Sequence, residues 1–158
     1  MLPQSVVRVL EPLGLMDRVH ELNESSATVA LAAQALHCEE KRIAKMLSFR
    51  VGDCPVLIVA AGDARIDNAA FKARFGCKAK MLTPEEAVER IGYAVGGVCP
   101  FGVKEDVRVY LDESLRRFET VFPACGTPNS AVELTIPQLE AACGSAEWAD
   151  VCKGWREE

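Results

Sequence analysis

The stretch from residue 44 to residue 60 constrains the fold more than any other part of this sequence. Ala44–Val51 mixes apolar with polar and basic residues, as a partly exposed strand does. Gly52-Asp53 then favours a turn, and Pro55–Ala60 is a continuous apolar run typical of a strand buried on both faces. We therefore predict two neighbouring strands that form the centre of a sheet.

Helix signals lie on both sides of this strand pair. Thr83, Pro84 and Glu86 have the spacing of a capping box with proline in the first turn. We predict helices over 5–10, 27–36 (with cap candidates in 23–26), 39–43, 68–75, 84–91 and 138–142, the last capped by Thr135. Further strands are predicted at 18–22, 79–82, 107–111, 120–122 and 130–134. This irregular mixture predicts an α+β fold rather than a βαβ repeat.

Length and composition set the broad class of the protein. The chain has 158 residues, of which 49% are hydrophobic and 26% charged, so we expect one globular domain over residues 1–158. The start of the chain lacks the pattern of a signal peptide, and no apolar run is long enough to cross a membrane. Seven cysteines without a CxxC pair fit a reduced, cytoplasmic protein, and their spacing predicts no metal site. No cofactor is expected.

The net charge of −5 argues against a broad DNA-binding face. Three local basic clusters nevertheless occur: Lys72, Arg74, Lys78 and Lys80; Lys41, Arg42, Lys45 and Arg50; and Arg116-Arg117. Each could simply be a solvated surface. A few of these residues could also hold the single-stranded end of a nucleic acid.

A glycine-rich segment, Gly96-Gly97-Val98-Cys99-Pro100-Phe101-Gly102, follows a β-favouring approach over residues 93–95. Its glycines permit a positive φ, and successive main-chain N–H groups in such a loop can bind a phosphate or an oxyanion. The alternative is an ordinary Gly-Pro turn. The segment matches neither the GxGxxG nor the GxxxxGK[ST] pattern, which disfavours a nucleotide-binding fold.

Cys99 lies within this glycine loop and is a candidate nucleophile. A nucleophilic cysteine usually needs a histidine nearby, and the sequence contains only His20 and His37. A small buried thiol is the commoner role for such a residue.

The combination of Lys45 with the glycine loop resembles the YbaK family, the trans-editing relatives of the insertion domain of prolyl-tRNA synthetase. The resemblance also covers 24–28, 43–47, 61–67 and 109–112. It implies a six-stranded mixed β-barrel-like sheet surrounded by helices, and hydrolysis of the ester of a mischarged aminoacyl-tRNA. The family usually has a threonine after this lysine, whereas Met46 follows it here, a difference that bears on amino acid specificity.

The resemblance also implies which residues form the site. It places the essential lysine at Lys45 and the glycine loop around the 3′-terminal adenosine and its carbonyl. Independently of the resemblance, main-chain N–H groups from Gly97 to Gly102 could stabilise an oxyanion, and Gly97 and Val98 are the catalytic candidates among them. The candidate substrate-binding residues are Thr28, Ser48, Gly96, Pro100, Phe101, Gly102, Asn129 and Ser130.

Several roles remain open from the residues alone. Lys45 can act as an ammonium that holds a phosphate or ribose oxygen, which we favour, or as a proton carrier with a lowered pKa. Asn129 and Ser130 can contact the aminoacyl group or only form a turn, and Thr28 and Ser26 can be helix caps, with Ser26 favoured as structural. Asp112 either supports the glycine loop or begins a turn.

Three functions follow as hypotheses. The first is a deacylase that acts in trans on the mischarged tRNA of proline, with a synthetase as a second candidate partner. The second is a binding module for aminoacyl-tRNA or a synthetase without catalysis. The third is hydrolysis of another small acyl ester, which would not depend on the body of the tRNA.

Overall fold

A computed structural model describes residues 2–144 and 146–156. Its helices are α1 (Gln4–Leu10), α2 (Val29–Leu36), α3 (Asn68–Phe75), α4 (Pro84–Arg90) and α5 (Ile136–Cys143). Short 3₁₀ turns cover Met16–Arg18, Glu40–Arg42 and Glu113–Arg117. The strands are β1 (Val19–Glu21), β2 (Ile43–Val51), β3 (Cys54–Ala61), β4 (Arg65–Ile66), β5 (Arg108–Asp112), β6 (Thr120–Pro123), β7 (Ser130–Val132), β8 (Leu134–Thr135), β9 (Glu147–Ala149) and β10 (Cys152–Lys153).

The main sheet has six strands in the order β8-β6-β2-β3-β5-β9 and curls into a half-barrel. The β2–β3 and β6–β8 pairs are antiparallel, whereas β2–β6, β3–β5 and β5–β9 are parallel. Two small antiparallel pairs, β1–β7 and β4–β10, lie outside this sheet. The α+β class and the six-stranded mixed sheet predicted above are confirmed.

The predicted strand pair does form the middle of the sheet. β2 and β3 pair from Ala44↔Ala61 to Val51↔Cys54, and Gly52 in the connecting turn has a φ of +61°. Residues 55–61 of β3 are all buried, as the continuous apolar run predicts. The site described below therefore lies beside a strand that is buried from residue 55 to residue 61.

The capping motifs predict two helices correctly and misplace the start of a third. Thr83 and Thr135 each form a complete capping box, with Glu86 and Gln138 as the partners. The N-cap of α2 is Thr28, whose Oγ1 accepts from Leu31 N at 3.2 Å, and not a residue of 23–26. The helix begins two residues later than predicted because Thr28 has the extended backbone that a cap requires.

Other boundary predictions were also wrong. Ala79–Leu82 forms only one antiparallel bridge, between Phe49 and Met81, and not a strand. Residues 130–134 form two strands, and the approach at 93–95 has no strand. Instead of a helix, 39–43 contains a 3₁₀ turn over Glu40–Arg42 and the first residue of β2. The two-residue strands β4 and β10 carry too few residues for an alternation to be detected.

The core lies between the sheet and the helices. Leu57, Ile58 and Val59 of β3 are fully buried within it. An aromatic row, Phe49–Phe71–Phe75–Tyr110, continues the core beneath α3, with ring centroids 4.6–5.0 Å apart. None of the helices in the described residues is both apolar enough and long enough to cross a membrane.

Candidate functional site

A cavity of about 370 Å³ opens beside the central strand pair, on the side of β2 that faces the start of α2. Its walls come from the start of α2, from β2, from the 81–84 segment, from the glycine loop and from residues 122–131. Six of the predicted site residues line it: Thr28, Lys45, Ser48, Gly96, Val98 and Ser130. The fold thus brings together residues that are up to 102 positions apart in the chain, the separation of Thr28 and Ser130.

Lys45 lies in β2 opposite Ala60 of β3 and is half-buried. Its Nζ donates to the main-chain oxygen of Ala64 and, at 3.4 Å, to that of Gly62. Gly62 is required there, since a Cβ at this position would lie 1.9 Å from the carbonyl oxygen of Glu40. The β3–β4 turn therefore holds the ammonium at the edge of the cavity.

The surroundings of Lys45 favour loss of its proton. Burial lowers the pKa of Lys45 below the usual lysine value, and the nearby Arg65 charge lowers it further. The Asp63 carboxylate acts in the opposite direction. The environment of this amine thus differs from that of an exposed lysine and is compatible with the proton-transfer alternative.

The first half of the glycine loop packs against two other elements of the site. Gly96 has a φ of +93°, and a Cβ there would approach the Cβ of Ala27 to 3.0 Å. A Cβ at Gly97 would lie 2.9 Å from main-chain atoms of Gly126 and Thr127. Both glycines are therefore needed for close packing of the loop against the start of α2 and against the 124–130 loop.

The N–H groups of this half-loop are not equivalent. Gly97 N donates to the carbonyl oxygen of Ala94 at 3.0 Å and closes a turn. For Val98, which is half-buried and lines the cavity, no acceptor of its N–H is found within residues 2–144 and 146–156. Of the two predicted main-chain donors, Val98 is therefore the one that remains available to a ligand.

Residues 99–101 of the loop are buried in the core and do not line the cavity. Phe101 is fully buried, and its carbonyl oxygen accepts from the Tyr93 hydroxyl. Gly102 has a φ of +63°, and a Cβ there would lie 2.4 Å from the carbonyl oxygen of Ser5. Pro100, Phe101 and Gly102 were predicted to bind the substrate, but they lie outside the cavity lining, as does Gly97. We interpret these residues as structural supports of the loop.

The 124–130 loop forms the opposite wall. The buried Ser130 lines the cavity, and its Oγ accepts from Thr127 Oγ1 at 2.6 Å. Asn129 does not line it: its Nδ2 donates to the carbonyl oxygen of Leu22 at 3.1 Å. Ser26 ties the two segments together by donating from Oγ to Pro128 O at 3.2 Å; it does not cap α2, and it also lines the cavity.

Comparison with known protein families identifies the family of this chain. The sequence profile described as "Aminoacyl-tRNA editing domain" matches residues 23–142, which include all the lining residues of the cavity. The chain belongs to this family. The family resemblance inferred from Lys45 and the glycine loop is thereby confirmed.

Relatives and a solved structure agree with the editing domain assignment. The uncharacterized protein YwhH of Bacillus subtilis is 56% identical over 87% of this chain and 88% of its own length. EbsC of Enterococcus faecalis, named as a candidate Cys-tRNA(Pro)/Cys-tRNA(Cys) deacylase, is 26% identical over 82% of this chain and 79% of its own. A crystal structure of a candidate trans-editing enzyme for prolyl-tRNA synthetase superposes with a TM-score of 0.81 and 34% identity, over 98% of this chain and 100% of the other.

Sequence reasoning missed most of the apolar lining of this editing domain. The unforeseen residues are Ala27, Val29, Ala32, Ile43, Ala44, Met81, Leu82, Val95, Phe122 and Ala131, with Pro84 known only as a helix start. They share no motif, because apolar residues of this kind are indistinguishable from core residues in a sequence. Met46, which was expected to bear on specificity, does line the cavity.

The cavity of the editing domain contains neither a carboxylate nor an imidazole among its lining residues. Its polar groups are the hydroxyls of Ser26, Thr28, Ser48 and Ser130, the amine of Lys45 and main-chain groups. In residues 2–144 and 146–156, His, Cys, Asp and Glu form no group of three or more that could hold a metal ion. The arrangement suits hydrogen bonding to a neutral or anionic ligand.

Asp112 and Cys99 have structural environments away from the cavity. The buried Asp112 carboxylate accepts from Ser114 N and from Val151 N, both at 3.0 Å, so it begins a turn and does not contact the glycine loop. Cys99 is fully buried, and burial raises the pKa of its thiol to about 12. This thiol lacks the thiolate character of a nucleophile.

Proposed function

We propose that this editing domain is an aminoacyl-tRNA deacylase that acts in trans on the mischarged tRNA of proline. The observation that carries the proposal is the meeting of Lys45, the Val98 N–H and Ser130 around one cavity. The names of EbsC and of the solved trans-editing structure support the reaction and the tRNA. Its partners would be the 3′ aminoacyl-adenosine end and a prolyl-tRNA synthetase.

Such a reaction needs less chemistry than the cleavage of an amide. An aminoacyl ester is already activated, so the site has to orient the ester, hold the attacking group beside it and stabilise the oxyanion. The Val98 N–H would donate to the developing oxyanion. Gly96 and Gly97 would position this donor through their packing against Ala27 and the 126–127 main chain.

The nucleophile would be water, which adds to the ester carbonyl and releases the free amino acid and the ribose hydroxyl. A hydroxyl of the substrate itself would orient this water, since the cavity lining offers no carboxylate or imidazole as a general base. Lys45 would hold a ribose or phosphate oxygen as an ammonium. Its lowered pKa also makes a neutral amine accessible at lower pH than for an exposed lysine.

The same absence of a general base favours a second candidate, a module that binds aminoacyl-tRNA or a synthetase without turnover. In that case the apolar cavity would recognise the aminoacyl group, and Lys45 would contribute affinity only. Release of the bound substrate unchanged would distinguish this function from deacylation.

The deciding experiment measures deacylation of tRNA of proline charged with alanine, cysteine, serine or threonine, by the wild type and by Lys45→Ala. We expect one ester to be cleared and the variant to be inactive while its circular dichroism and melting temperature stay close to those of the wild type. Lys104→Ala, which removes an exposed lysine outside the cavity, is the matched control and should be fully active. Binding of all four tRNAs without hydrolysis would overturn the proposal in favour of the binding module.

A further inference from the structure

Two large apolar side chains stand exposed at the cavity, although the hydrophobic effect favours their burial. Val95 is 65% exposed and Met81 57%, the two highest values among the exposed large hydrophobic side chains of the described residues. Both line the cavity. Single exposed apolar residues need no explanation, but two at one opening mark a surface that a ligand can cover.

The main chain holds Met81 in place at the edge of β2. Arg50 N donates to Lys80 O at 2.9 Å, and Leu82 N donates to Ser48 O at 3.0 Å. Met81 thus lies between two fixed neighbours, while its flexible thioether side chain can adapt to a flat ligand. Val95 lies in the turn that leads into Gly96 and Gly97.

Basic residues flank this apolar rim. Lys78 and Lys80 are exposed, and neither forms an ion pair with another residue in 2–144 or 146–156. The first turn of α4 carries two carboxylates, Glu85 and Glu86. Glu86 interacts electrostatically with Lys80, but its ion pair is with Arg50, and it also accepts from the Thr83 N–H. The segment therefore keeps a positive surplus next to an apolar surface.

We propose that Met81 and Val95 contact the terminal base of the RNA and that Lys78 and Lys80 contact the phosphates preceding it. An apolar surface beside unpaired cations matches the alternation of flat bases and charged phosphates in a single-stranded end. The inference rests on the proposed function, which requires an RNA 3′ end as the ligand. It assigns a role to Lys78 and Lys80 of the basic cluster at 72–80, which lie outside the cavity lining.

The first test observes binding without turnover. The chain is labelled with ¹³C at methionine and valine methyl groups and titrated with the non-acylated RNA tetranucleotide ACCA. We expect the Met81 and Val95 methyl resonances to shift. Met16 and Val88 are exposed to 36% and 51% but lie outside the cavity lining, so their resonances should not move. If the Met81 and Val95 methyl resonances do not shift even at millimolar RNA, the inference is overturned. A protein partner would then be the better candidate for this surface.

The second test separates base contacts from phosphate contacts. Met81→Ala and Val95→Ala should each weaken ACCA binding roughly 3- to 10-fold, as expected for the loss of buried apolar area, whereas Met16→Ala and Val88→Ala should not. The Lys78→Ala/Lys80→Ala double variant should reduce the salt dependence of log K by about 1.4, equivalent to two phosphate contacts on a single strand. Lys104→Ala/Lys153→Ala has the same change in net charge and should leave the slope unaltered.

Adenosine, which carries no phosphate, completes the design. It should shift the Met81 and Val95 methyl groups equally in the wild type and in the Lys78→Ala/Lys80→Ala variant. Equal salt slopes for the two double variants would overturn the phosphate contacts. If the methyl groups respond to RNA while the wild type deacylates no mischarged tRNA, the proposed function fails and the RNA-binding surface stands, so the two failures are distinguishable.

Discussion

The N–H of Gly97 donates to the carbonyl oxygen of Ala94 at 3.0 Å, and this bond divides the roles within the glycine loop. Gly97 closes the turn, whereas its neighbour Val98 lines the cavity and its N–H has no acceptor among residues 2–144 and 146–156. The loop thus combines one structural donor with one candidate catalytic donor in adjacent residues.

Replacement of the Val98 amide by an ester tests the catalytic donor. α-Hydroxyisovaleric acid at this position, introduced by semisynthesis, removes the N–H and keeps the side chain. We expect kcat for deacylation to fall about 10²- to 10³-fold with little change in KM, the loss typical of one oxyanion donor. The same exchange at Val103, which lies outside the cavity lining, should leave kcat unchanged. An unaltered kcat for the position 98 ester would exclude Val98 as the donor.

Lys45 should make the reaction sensitive to alkaline pH. Burial lowers its pKa, so the ammonium loses its proton at lower pH than an ordinary lysine does. If the ammonium holds the substrate, kcat/KM corrected for uncatalysed hydrolysis falls as pH rises through this lowered pKa. A rise over the same range would show that the neutral amine is the active form.

Lys45→Arg is the control for that pH profile. A guanidinium keeps its charge throughout the accessible range, so any residual activity of the variant should lack the alkaline decline. A decline that persists in Lys45→Arg would have to come from another group.

Asp112 should matter for stability. Its two carboxylate oxygens accept from the N–H groups of Ser114 and Val151, and Asp112→Asn places an amide NH₂ against one of these donors. We expect a loss of roughly 1–3 kcal/mol in the free energy of unfolding, measured by urea denaturation. The exposed Asp106→Asn serves as the control and should change stability by less than about 0.5 kcal/mol.

Cys99 should be dispensable for the chemistry. With a pKa raised to about 12 by burial, its thiol should resist alkylation by iodoacetamide at pH 7.5 in the folded protein, while the partly exposed Cys54 reacts. Cys99→Ala should lose about 1 kcal/mol of stability through the small cavity and retain deacylation. Rapid alkylation of Cys99, or inactivity of a folded Cys99→Ala, would contradict its structural role.

Much of the fold could be predicted from local patterns in the sequence. The capping boxes at Thr83 and Thr135 and the buried run 55–60 depend on neighbouring residues, so they could be recognised without tertiary information. The bridge between Phe49 and Met81 and the short strands β4 and β10 exist only through long-range pairing. These were missed or misassigned for that reason.

The candidate site could likewise be predicted only in part from the sequence. Lys45 and the glycine loop could be found from the sequence because lysine and clustered glycines are chemically distinctive, and together they identified the family. The tertiary structure decided that Val98 faces the cavity while Phe101 enters the core, and that Asn129 bonds to Leu22 while Ser130 lines the wall. Neighbours in a chain share composition and spacing, but the direction of each group depends on the elements packed around it, which no local pattern records.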